Sequence, residues 1–71
     1  MNREHAIALM AIYQRIGIAL NEATELISTE PVLGEQKRLR LPLGKLMADL
    51  FTELQLPIIR EHPDLDPDRQ S

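Results

Sequence analysis

The chain is predicted to be all-α, a helical hairpin whose second arm carries a proline, and three observations predict it. Residues 6–27 and 43–56 repeat apolar side chains at three- and four-residue spacing, the period of a helix with one buried face. Only Tyr13 and Phe51 are aromatic, so the 44% of apolar residues are almost all aliphatic. Between the two segments Arg38-Leu39-Arg40-Leu41 alternates as a strand would, but for four residues only.

Asn2 is the expected N-cap of the first helix, and Glu4 stands in the first turn, where the helix dipole favours an anion. The helix should run from about residue 3 to 27. Leu9, Ile12, Tyr13, Ile16, Ala19, Leu20, Ala23 and Ile27 fall on one face, the expected core-facing stripe. Ile7, Ala11 and Ile18 lie on the opposite side beside Gln14, with Met10 nearby. The half up to Leu20 is therefore apolar nearly all round, and such a helix needs cover on both sides.

Ser28-Thr29-Glu30-Pro31 reads as a tight turn, with a serine to cap the next helix and a proline in its first turn. The two arms are then antiparallel neighbours. Residues 31–41 are expected to be helical although Gly34 costs about 1 kcal/mol relative to alanine. Pro42 lacks a donor and clashes with the carbonyl at Arg38, so a kink or break is expected there. In residues 43–56, Leu43, Leu46, Met47, Leu50 and Leu54 share a face, with Lys45, Asp49, Thr52 and Gln55 away from it and Phe51 on its shoulder. Pro57 interrupts this period, and residues 57–61 should form a re-aimed turn folding back on the end of the bundle. Residues 1–62 thus make one helical domain. Pro63, Pro67 and three aspartates mark residues 63–71 as an acidic, extended or disordered tail.

Composition bounds the function. A chain of 71 residues buries only roughly 60% of its unfolded surface, and proteins this small often rely on staples or oligomers. Cysteine is absent, which excludes disulfides and thiolate metal sites. A net charge of −3 and the lack of aromatic platforms argue against bulk binding of nucleic acid. No membrane span is expected, because Gln14 and Arg15 interrupt the one long apolar run before it reaches the ~20 residues a bilayer needs. Arg3 and residues 7–13 imitate the start of a signal peptide. Glu4 and the Gln14-Arg15 pair fit it badly and no A-x-A site follows, so a cytoplasmic location is expected.

No catalytic, metal or cofactor constellation emerges. His5 and His62 stand near opposite ends of the sequence, and Glu22 and Glu25 lack the Glu-x-x-His spacing of di-metal bundles. Ser28 and Thr29 have no base placed by a motif and no glycine-rich loop, so a capping role is expected for both. Lys37, Arg38, Arg40 and Lys45 are the one local excess of charge, four cations in residues 30–45 against Glu30 and Glu35. On a helix Lys37 and Arg40 share a side and Arg38 points away, which splits the patch.

The expected function is therefore that of a small non-catalytic helical protein that self-associates or docks on a protein partner as an adaptor, inhibitor or regulator. Ile7, Met10, Ala11, Gln14, Ile18 and Phe51 are its expected interface. A homodimer would complete a four-helix bundle, with Ala11 and Gly17 letting helices approach near its centre. The alternative is a nucleic-acid-associated regulator working through Lys37, Arg38, Arg40 and Lys45.

Overall fold

Asn2 starts the first helix in the computed structural model of the chain, which describes residues 1–67. Its backbone is extended and its side-chain oxygen accepts from the His5 N–H at 2.8 Å, which satisfies one of the unpaired donors at a helix start. Helix α1 then spans Arg3–Ser28. Ser28 and Thr29 do not cap the following helix. Their hydroxyls turn back to the last carbonyls of α1, Ser28 Oγ to Glu25 at 2.6 Å and Thr29 Oγ1 to Leu26 at 2.7 Å. The Gln36 amide donates to the Glu30 carbonyl and ties the turn to the second arm.

Helix α2 spans Leu33–Asp49 and begins at Val32 without a side-chain cap. Of the kink or break expected at Pro42, the break does not occur, and α2 runs through the proline as one helix. Pro42 removes one donor, to the carbonyl of Arg38, and both residues are exposed, so water can satisfy that carbonyl.

The interruption lies further on, where Leu50–Gln55 form a π-helical turn before helix α3, Leu56–Glu61. The register explains its consequence. With uninterrupted α-helical spacing, Ile59 would fall on the outer side of the arm. One extra residue in the turn sets the later residues back by about 100°. Ile58 and Ile59 then straddle the inward direction, and both are buried. The expected re-aimed turn at residues 57–61 is thus a helix that continues the arm and closes on the start of α1.

The core results from this closure. Ala6 and Met10 of α1 are buried against Ile58 and Ile59, with Leu9, Tyr13 and Leu65 packed around them. Leu50 is buried further along, beside Gly17, where a methyl group on the glycine would stand 3.8 Å from Leu50 Cδ2. Where an extended tail is expected, Pro63–Leu65 form a 3₁₀ turn. Residues 68–71 of that tail lie outside the described residues.

The inward face of α1 is rotated by roughly 80° from the expected stripe. Ala6, Met10, Tyr13, Gly17, Leu20 and Thr24 point inward, whereas Ile12 and Ile16 are each 41% exposed. On the second arm Leu43, Met47 and Leu50 point inward, and Leu46 and Leu54 do not. The hairpin measures 46 × 19 × 19 Å with a radius of gyration of 14.7 Å. A compact chain of this length has a radius of about 11 Å.

Candidate protein interface

An open apolar face runs along one side of the hairpin. Ile16 and Leu20 of α1 face Leu46, Leu50 and Leu54 of the second arm across a groove of about 400 Å³, with Asp49 and Glu53 at its rim. Ile12 extends the face by one turn towards the N-terminus of α1, and Leu39, seven residues before Leu46, extends it towards the start of α2. Exposure is 40% for Leu39, 54% for Leu46 and 43% for Leu54.

The residues singled out in sequence lie elsewhere. Met10 is buried in the chain's own core and is not available to a partner. Ile7, Ala11 and Gln14 remain exposed, but with Met10 they line a smaller depression, of about 180 Å³, into which Leu65 of the 3₁₀ turn reaches. Ile18 and Phe51 are exposed. The second stripe of α1 is therefore partly covered by the chain's own C-terminal segment, and Ile12, Ile16, Leu39, Leu46 and Leu54 form the larger apolar surface. A signal for it is present in the sequence. Ile12, Ile16, Ala19, Ala23 and Leu26 follow strict four-three spacing, the pattern of a helix that packs on another helix.

The C-terminal segment is held to the start of α1 by charge. The N-terminal ammonium meets Glu61 at 2.6 Å, and Arg3 forms a fork with Asp64, one arm of it at 3.1 Å. The His62 ring lies 3.2 Å from the Met1 carbonyl. Hydrogen bonding from the terminal ammonium, and then its charge, hold the Glu61 carboxyl below its usual range. The hydrogen bond from Arg3 does the same for Asp64. These groups are exposed, so the clamp orients the segment more than it stabilises the fold.

Lys37, Arg40 and Lys45 gather around Leu41 and Gly44 in a broad, open depression on α2. Arg38 is engaged by Glu35 on the same helix. Leu41, at the centre of this patch, is 81% exposed. Among the described residues, no three histidine, aspartate or glutamate side chains gather as a metal site, and no helix is long and apolar enough to cross a membrane. No family model, no curated protein and no solved structure matches the chain.

Proposed function

We propose that the protein is a non-catalytic helical interaction module that works by self-association, two hairpins stacking their open faces into a four-helix bundle. The observation that carries this reading is the groove between Ile16 and Leu20 on one arm and Leu46 and Leu54 on the other. Isoleucine and leucine at such positions gain about 1.5–3 kcal/mol each on full burial. The chain exposes 5350 Å² of surface, against roughly 4,500 Å² for a compact monomer of 8.1 kDa. That excess is close to the ~800 Å² that one partner contributes to a standard interface. A two-fold pairing covers the same patch on both copies at once, and closed pairs of this kind are the commonest soluble assembly.

Light scattering coupled to size exclusion tests the reading with two substitutions. Wild type and Ile18→Glu should elute as dimers, because Ile18 lies off the open face. Ile16→Glu should elute as a monomer, because it places a charge in the seam. A monomeric wild type would overturn the proposal, as would an Ile16→Glu dimer.

A nucleic-acid regulator is the second reading, and the convergence of Lys37, Arg40 and Lys45 favours it. With Arg38 engaged by Glu35, three cations per copy make a small phosphate footprint. Binding to duplex DNA that falls steeply with salt, and falls again on Lys37→Ala with Arg40→Ala, would support this reading over the first.

A further inference from the structure

Resting on the self-association just described, we infer that the second copy sits antiparallel to the first, about a two-fold axis that passes Ala19 on α1 and Leu46 on α2, with Arg15 of each copy paired to Glu22 of the other. The inference comes from the order of residues along the open face. On α1 the stripe Ile12, Ile16, Ala19, Ala23, Leu26 is nearly a palindrome in position. Turned end for end about Ala19, it sets Ile12 against Leu26 of the other copy and Ile16 against Ala23. Ala19 then meets its own equivalent. Large residues meet small ones or an outer leucine, and the small centre lets the backbones approach.

The second arm gives the same axis independently. Leu39 lies seven residues before Leu46, about 10.5 Å along the helix, and Leu54 lies a similar distance beyond it once the extra residue of the π turn is allowed for. Turned about Leu46, Leu39 meets Leu54 of the other copy and Leu46 meets itself. The two centres lie within about one helical turn of each other in height, because Gly17 stands beside Leu50 and Thr24 Oγ1 lies 3.9 Å from Met47 Sδ, which sets Leu46 a little nearer the turn than Ala19.

Charge agrees with this register. Arg15 and Glu22 each stand one position before a stripe residue, Ile16 and Ala23, on the outer rim of the face. Both are exposed, and among the described residues neither makes an ion pair within the chain. In the antiparallel arrangement Arg15 of one copy faces Glu22 of the other, and symmetry makes the pair twice. A two-fold axis along the helices would instead lay α1 on the second arm of the other copy and leave Arg15 and Glu22 unpaired with each other.

The absence of native cysteine makes the test direct. Leu46→Cys and Leu39→Cys are oxidised separately under mild conditions, and covalent dimer is read on a non-reducing gel. Leu46→Cys should cross-link, because a residue on the axis brings its equivalent within disulfide reach. Leu39→Cys lies on the same face but about 21 Å from its equivalent, and should not. As a second measurement, Arg15→Glu should weaken the dimer by about tenfold, and adding Glu22→Arg should restore it. A wild type that associates while Leu39→Cys cross-links and Leu46→Cys does not would overturn the antiparallel register and leave self-association standing. A charge swap that fails to restore would overturn the Arg15–Glu22 pairing. A wild type that stays monomeric would overturn both the register and the reading beneath it.

Discussion

Met10 decides which way α1 turns. The helix carries apolar residues on nearly every side up to Leu20, so its own periodicity leaves the inward direction open by some tens of degrees. Burial of Met10 and Ala6 under Ile58 and Ile59 fixes it, and Ile12 and Ile16 are turned outward as a result. Met10→Ala should lower stability to urea by about 2–5 kcal/mol, the range for a large side chain truncated in a core. A loss under about 1 kcal/mol would place Met10 outside the core. The charged clamp gives a pH prediction. Glu61 and Asp64 are both held below their unfolded values, which lie near 4, so their contribution is full at neutral pH. It is lost as the pH falls through about 4 and on through the lower folded values. Amide-exchange protection of residues 58–65 should therefore drop between about pH 6 and pH 3, relative to the middle of α1. Equal change in both regions would contradict the clamp.

At the scale of elements, the π turn of Leu50–Gln55 sets the phase of everything after it. Deleting Thr52 should return the arm to plain α-helical spacing with Ile58 and Ile59 still facing Met10, because losing one residue and losing the set-back cancel, whereas inserting one alanine after Ala48 should carry them about 100° away. The expected outcome is exchange protection of α3 that survives the deletion and is lost on the insertion, with α1 and α2 still helical by circular dichroism. Protection of Ile58 and Ile59 that survives the insertion would show that the turn is not what aims them. The helices themselves were legible from sequence. Asn2 marks the start of α1, the two apolar repeats mark both arms, and the short turn at residues 29–32 makes them antiparallel. Pro42 does not break the arm, because a proline on the exposed side of a helix costs a hydrogen bond that water replaces. Pro57 misleads: it marks the right place, but the extra residue lies before it, in LFTELQ, whose composition does not distinguish a π turn from an α turn. The open apolar face was hard to read for the same reason as the phase of α1. Ile7, Met10, Ala11, Gln14 and Ile18 share a flank in the sequence pattern, and only the position of α3 and Leu65 shows that the C-terminal segment reaches that flank.

At the scale of the whole molecule, two arms of nearly equal length lie side by side in one layer, and a single layer can bury only the sides that face each other. Five side chains are buried in the described chain, Ala6, Met10, Leu50, Ile58 and Ile59, while Ile12, Ile16, Leu39, Leu46 and Leu54 remain in water. In the proposed dimer a second hairpin stacked on that face would supply the missing layer and enlarge the core without any new element of sequence. Sedimentation equilibrium of the wild-type chain at tens of micromolar measures this directly. The expected result is a mass of twice 8.1 kDa, falling towards 8.1 kDa on dilution. A mass of 8.1 kDa at every concentration, with the chain folded, would contradict the central claim that the open face of the hairpin is covered by a second copy.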